Sequence, residues 1–373
     1  MTPARDGGLD SLRGLAALMV VFYHLNLLGC GWLGVQLFFV LSGYFITRQW
    51  TQLEPAGARP ALRIFLARRA LRLLPLYLFY LLGLALLARS PYAPAGLAGS
   101  LAADGPSLLS ASYNLQAAQP AHRAHPWLAH LWSISVELQL YALWPLLLLA
   151  ARGRGRWLLL GGLVLAGPVL RASLAAWADP PLPARAALVG LSTVSHLDAF
   201  ALGGLLALAS PAFARRAGHG GVGLALALAL WLAGAAVNGP GLLPRQTLGA
   251  PLLLGHPNGL PLSGQWIWGY SGVNLLAGWA ILALQARQGL APLRWVGERA
   301  YGVYLFHLPL AHLVAPLVLT LHQQLQTGFH GSLLLLAPPY LAVLLLLAGL
   351  SYRYLERPWW RLRPGLPEAH RAA

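Results

Sequence analysis

The chain contains no lysine. All 26 of its basic residues are arginines, set against only 10 acids, and the 373 residues carry a formal net charge of +16. Such a surplus could serve nucleic acid, but these arginines are strung between apolar stretches instead of gathering on one soluble face. That distribution is the one membrane orientation produces, and no nucleic-acid partner is expected. Cysteine is nearly absent too: Cys30 stands alone, which excludes an intrachain disulfide and a cysteine-based zinc site. Charged residues of both signs make up only 10%, against about a quarter in an ordinary globular domain, so a string of soluble domains is excluded. Residues 1–9 lack the apolar core and cleavage site of a signal peptide, and the first apolar segment therefore reads as a retained helix.

What the chain does have is apolar length. Hydrophobic residues reach 57%, in runs such as 224–232 and 333–350. Segments of about twenty residues suit a hydrocarbon core about 30 Å thick. The expectation is an all-α polytopic membrane protein with about ten transmembrane helices, near 11–29, 33–50, 72–88, 131–151, 157–177, 186–209, 220–238, 264–285, 300–320 and 332–352. With the N-terminus inside, the inner segments collect Arg48, Arg59, Arg63, Arg68, Arg69, Arg72, Arg152, Arg154, Arg156, Arg215, Arg216, Arg287, Arg294 and Arg299. The C-terminal segment adds Arg353, Arg357, Arg361, Arg363 and Arg371, while the outer loops hold only Arg89, Arg123, Arg185 and Arg245. The asymmetry places both termini in the cytoplasm, and the lipid bilayer is the first partner.

Residues 9–25, LDSLRGLAALMVVFYHL, form the first apolar helix. Arg13 and His24 are eleven residues apart, which at 100° per residue returns to within about 20° of one face and spans roughly 16 Å. Asp10 falls within about 40° of that face. An ionisable side chain at bilayer depth is costly, so His24 is a functional candidate. It could instead bridge to a neighbouring helix by a hydrogen bond.

Further strings carry chemistry. In 34–47, GVQLFFVLSGYFIT, Ser42 and Gly43 are small enough for a close helix approach. In 65–78, FLARRALRLLPLYL, Arg68, Arg69 and Arg72 stand at the expected start of the third span. Guanidinium groups and free helix N–H groups there would both suit an anion, such as the phosphates of coenzyme A. Topology alone would account for the same arginines. Residues 89–130 form the longest outer segment, expected to be partly ordered against the membrane face. Its His122, His125 and His130 lack a nearby carboxylate and a fixed spacing, and no metal is expected. In 130–145, HLWSISVELQLYALWP, Glu137 lies inside the hydrocarbon boundary and needs a partner or a proton. Residues 195–204, SHLDAFALGG, put Asp198 near mid-membrane with His196 on a different face. Residues 295–310, WVGERAYGVYLFHLPL, set His307 about 10 Å into the ninth span.

The first of these strings, Arg13 followed by ten residues and His24 in a helix opening LDSLRG, resembles membrane-bound acyltransferase family 3. The likeness extends through Arg-Arg-x-x-Arg-x-x-Pro-x-Tyr at 68–77, Trp-Ser-x-x-x-Glu ending at Glu137, SHLDA at 195–199 and Tyr-Leu-x-His-x-Pro ending at Pro309, in the family's order. Two positions differ: Gln36 stands where relatives often carry an acid, and Leu138 where many carry a second glutamate. The resemblance implies transfer of an acyl group, most often acetyl, from cytoplasmic acyl-CoA to a hydroxyl of a sugar-containing acceptor: a glycan, glycolipid or glycosylated small molecule. It implies His24 as general base or transient acyl carrier and Glu137 as its orienting partner. Arg13, Arg68, Arg69 and Arg72 become donor-phosphate ligands, and Asp10, Asp198 and His307 acceptor-side candidates. Residues 1–360 would be one membrane domain, without the appended esterase-like domain of some relatives, and 361–373 a short basic cytoplasmic tail. The setting implied is a bacterial cytoplasmic membrane. A secondary transporter using intramembrane His, Asp and Glu is the alternative from a different class, though no internal repeat is visible.

The arginine asymmetry generates a direct test. Reporter fusions after Arg59 and Arg154 should report the cytoplasm and one at Ala117 the outside; an inside signal at Ala117 overturns the map.

Overall fold

A computed structural model describes residues 6–177, 182–209, 213, 221, 224–226, 229, 265–285, 287–325 and 329–365. Among these residues the regular structure is entirely helical. Asp6 caps α1 (Gly7–His24) by accepting the Leu9 amide N–H, and Asp10 in the first turn suits the positive end of the helix dipole. The helix stops at His24, five residues short of the expected end. Asn26 takes a left-handed backbone (φ 56°), and the chain doubles back through a short turn into α2 (Leu33–Leu53). His24 is therefore the last residue of its helix, not a mid-helix group.

α3 (Ala58–Leu87) begins ten residues before Arg68. Its arginines thus lie in the helix interior, where the backbone N–H groups are already bonded within the helix, and the expected help from a free helix N-terminus does not apply. The segment expected outside folds as α4 (Leu97–Leu109) and α5 (Tyr113–Ala117). Tyr77 and Tyr80 of α3 hold it down, donating to the carbonyls of Leu108 (3.1 Å) and Trp127 (2.6 Å). α6 (Trp132–Ala150) and α7 (Arg154–Trp177) follow. The expected sixth span is broken: α8 (Leu182–Leu191) and α9 (Leu197–Leu208) are separated by Ser192 and a 3₁₀ turn ending at His196. The expected seventh span falls almost wholly outside the described residues, as do Arg185, Arg215, Arg216, Arg245 and Arg371 as side chains. The rest comprises α10 (Gln265–Leu284), α11 (Ala291–Glu298), α12 (Ala300–Leu325), α13 (Phe329–Ser351) and, after a π-helical turn at Tyr352–Glu356, α14 (Arg357–Arg361).

Among the described residues, five helices are long and apolar enough to cross a membrane: Ala58–Leu87, Ala129–Ala150, Arg154–Ala176, Ala300–Gln324 and Gly331–Arg361, with shorter apolar helices at Thr193–Leu208 and Gly269–Leu284. Their outward faces carry large exposed apolar side chains, among them Leu82, Leu86, Leu158, Leu165, Leu317 and Leu346. In water such faces would aggregate, whereas in lipid they are solvated, as befits a multi-pass membrane protein. α2 sits at the centre, packed against α1, α6, α9 and α10.

Two contacts set the spacing. Gly43 of α2 and Gly203 of α9 face each other's backbone: a Cβ on Gly43 would collide with the Phe200 carbonyl, and one on Gly203 with that of Val40. Gly14 of α1 and Gly297 of α11 meet in the same way, against the carbonyls of Leu293 and Asp10. Where lipid is as apolar as the side chains, such backbone proximity drives helix association. Replacing Gly203 by Val should overpack the α2–α9 seam at a cost of about 1–3 kcal/mol. The expected readout is a lower melting temperature in detergent; an unchanged one would show that the seam has room to relax.

Candidate active site

α1 and α12 bring two imidazoles together. His307 Nε2 lies 3.1 Å from His24 Nδ1, and the ring centroids are 4.9 Å apart. Their protons are assigned by carbonyl partners, which can only accept. His24 Nδ1 is 3.0 Å from the Val20 carbonyl and His307 Nδ1 is 2.6 Å from that of Tyr304, so each ring carries its proton on Nδ1. His24 Nδ1–H is then shared between Val20 O and the bare Nε2 of His307. The lone pair of His24 is left on Nε2, the arrangement a general base requires. His130 packs edge-on to His307 at 5.2 Å and donates from Nε2 to the Leu305 carbonyl.

His24 and His130 line a chamber of about 280 Å³ whose walls include Tyr23, Trp32, Trp132, Tyr270, Tyr304 and Gln36. Flat aromatic walls with a few polar atoms suit a ring-shaped polar ligand. Gln36 Nε2 donates to His196 Nδ1 at 3.0 Å, and His196 Nε2 donates to the Gly190 carbonyl. Residue 36 therefore anchors the helix break before α9. His307 is the contact behind His24 and does not line this chamber.

A narrower cavity of about 70 Å³ adjoins the chamber and shares Val35 and Tyr304 with it. Phe38, Phe39, Leu41, Leu73 and Ile134 make this neck mostly apolar, and Glu137 and Ser42 line it with them. Glu137 does not meet His24. Ser42 Oγ donates to its Oε1 at 2.8 Å, Tyr141 donates to the same oxygen, and the expected pairing with the imidazole is replaced by the His307 contact.

The neck shares Arg13 and Arg72 with a third cavity, of about 600 Å³, at the far end of α1. Six guanidinium groups line it, those of Arg13, Arg48, Arg68, Arg69, Arg72 and Arg363, against the three carboxylates of Asp6, Asp10 and Glu298. The four expected donor arginines are thus gathered in one place. Asp10 is at this end as well, 3.6 Å from Arg13, and so is remote from the chamber. Arg68 donates from Nε to the Pro364 carbonyl at 2.9 Å, and Arg69 donates to Gln49. Burial, followed by the positive charges of Arg72, Arg69 and Arg68, pulls the Arg363 guanidinium down to about 9.

Arg171 belongs to none of the motifs above. It is fully buried in α7 and bonded on every side: to Asp198 Oδ2 (2.9 Å), the carbonyls of Ser195 (2.8 Å) and Ile267 (2.6 Å), and Ser271 Oγ (2.6 Å). Asp198 is consumed by this pair, which ties α7, α9 and α10 together, and it lines none of the three cavities. A lone arginine within an apolar run, needing an acid at similar depth, was the available signal. Among the described residues no group of three His, Cys, Asp or Glu side chains is arranged to hold a metal ion.

A family model described as an acyltransferase domain matches residues 6–353. The chain belongs to membrane-bound acyltransferase family 3. Among its relatives, the peptidoglycan O-acetyltransferase OatA of Listeria monocytogenes is 27% identical over 94% of the chain and 55% of its own length. An O-acetyltransferase OatA of Staphylococcus aureus is 33% identical over 38% of the chain and 24% of its own length. The chain spans about half the length of the curated relatives it matches most fully. No solved structure matches it.

Removing one member of a buried ion pair leaves an uncompensated charge, at a cost of about 3–5 kcal/mol. Asp198→Asn should therefore lower the detergent melting temperature strongly. Adding Arg171→Met should restore part of the loss; a mild single variant would show that Ser271 and the carbonyls suffice for Arg171.

Proposed function

We propose that the chain is a membrane O-acyltransferase. It moves an acyl group, acetyl by preference, from cytoplasmic acyl-CoA to a hydroxyl of a sugar-containing acceptor. The observation that carries this reading is the order of the three cavities along α1: arginine-lined, then narrow and apolar, then histidine-lined, each sharing residues with the next. Coenzyme A has the same order of parts. Its phosphates match the guanidinium groups of Arg13, Arg68, Arg69 and Arg72, and its pantetheine arm is about as long as the roughly 16 Å that separate Arg13 from His24.

The acceptor occupies the aromatic chamber with one hydroxyl at His24 Nε2. A sugar hydroxyl is too weakly acidic to attack a thioester unaided at neutral pH. His24 takes its proton as the oxygen bonds to the thioester carbon; the carbon–sulfur bond then breaks, and the departing thiolate receives that proton from His24, which returns to its neutral form. His307 holds the His24 ring in the tautomer with Nε2 bare, and Glu137 serves the neck, not the base. The relatives named for peptidoglycan support a glycan as acceptor. The arginine asymmetry supports ten spans with both termini inside, residues 1–360 acting as one unit, in a bacterial cytoplasmic membrane.

The test is turnover of purified protein with acetyl-CoA and a glycan acceptor. His24→Gln and His24→Ala should both lose about 10² or more in turnover, while membrane insertion and donor affinity persist. His307→Phe, which keeps a ring but removes the acceptor nitrogen, should lower turnover without weakening donor binding. Near-normal turnover in His24→Gln would reduce the histidine to a helix bridge.

A further inference from the structure

The expected basic tail does not hang free at its start. After α14 the chain turns back onto α3, and Arg363, Pro364 and Gly365 join the wall of the arginine-lined cavity. Trp360 organises the return. Its ring has the Arg363 guanidinium carbon 4.6 Å from the centroid and that of Arg72 at 5.3 Å, and the Tyr352 ring packs against it edge to face. One indole thus gathers two cations from distant parts of the chain.

Of the two, Arg363 is under-compensated. Arg363 Nε and Nη2 are buried with no hydrogen-bond partner, and Arg69 Nε is in the same condition. Arg171 and Arg156 show what a resident structural arginine looks like here: each meets a carboxylate at 2.9 Å and backbone carbonyls besides. Buried guanidinium nitrogens without an acceptor are costly, and like charges gathered on one ring repel. A tetrahedral dianion removes both penalties and matches the guanidinium fork. Residues 360–365 lie beyond the segment the family model matches, so family membership does not imply this element.

We infer that Trp360 and Arg363 form a second phosphate seat, in which Arg363 and Arg72, both held against the indole, grip a phosphoryl group of the donor. The inference rests on the acyl-CoA reading above and adds a named element to it. Coenzyme A offers two sources of that phosphoryl chemistry, the diphosphate and the 3′-phosphate.

Full-length protein in detergent is titrated with coenzyme A and with 3′-dephospho-coenzyme A, as wild type, Arg363→Gln and Trp360→Leu. Arg363→Gln should weaken coenzyme A binding at least ten-fold, and Trp360→Leu, which releases both cations, should weaken it too, with elution and melting unchanged. If the 3′-phosphate occupies the seat, 3′-dephospho-coenzyme A binds wild type and Arg363→Gln alike. If the diphosphate does, both ligands lose equally. Wild-type affinity for both ligands in Arg363→Gln, with Arg69→Gln still impaired, overturns the seat and leaves the donor reading intact. Wild-type protein that binds no coenzyme A overturns both.

Discussion

The cost of holding a charge away from water governs this molecule. In an apolar bundle a guanidinium or carboxylate survives only where something answers it, and the structure divides its charged groups by how they are answered. Arg171 with Asp198, and Arg156 with Glu54, are closed pairs whose hydrogen bonds are complete. They act as rivets between helices. The arginines around the large cavity are left in excess over the acids near them. Two arginine populations with the same chemistry therefore have opposite meanings, and the difference lies in which of them have spare hydrogen-bonding capacity.

Periodicity made one half of the site legible. Arg13, Asp10 and His24 could be put on one face of α1 because a single unbroken helix carries all three, and helical geometry is exact enough over eleven residues to survive an error in where the helix stops. The closing contact at Gly43 could be read for a similar local reason: a small residue in an apolar run needs a partner to approach it. The end of α1 was not legible, since Leu25, Leu27 and Leu28 continue the apolar run after the backbone has turned at Asn26. The start of α3 was missed for the converse reason. Arg59, Arg63, Arg68 and Arg69 interrupt the first turns of the helix, so the long uncharged run begins only after Arg72.

Contacts between distant segments were invisible from either end. Glu137 and His307 both stood out as ionisable groups in spans, and nothing in their own strings says which of them meets His24. That depends on how α6 and α12 pack around α1. Arg171 and Asp198 are 27 residues apart on different helices, and each taken alone looks like a candidate for chemistry. Arg363 reads as one more positive charge near the C-terminus until the return of the chain brings it to Trp360 and α3. Membership in an acyltransferase family narrows the chemistry, but it does not say which helix meets which.

The apolar neck between the arginine cavity and the histidine chamber has a consequence for the cell's energy supply. Two wet cavities that approach each other from opposite ends of a helical bundle threaten to short-circuit the membrane, and each elementary charge crossing 100 mV dissipates about 2.3 kcal/mol. Phe38, Phe39, Leu41, Leu73 and Ile134 narrow the space between them, and Arg13, Arg72 and Glu137 share that neck, so a hydrated ion meets both a tight apolar wall and fixed charge there. On the proposed donor path, the same ring of side chains that leaves room for the arm also narrows any passage for hydrated ions between the two cavities.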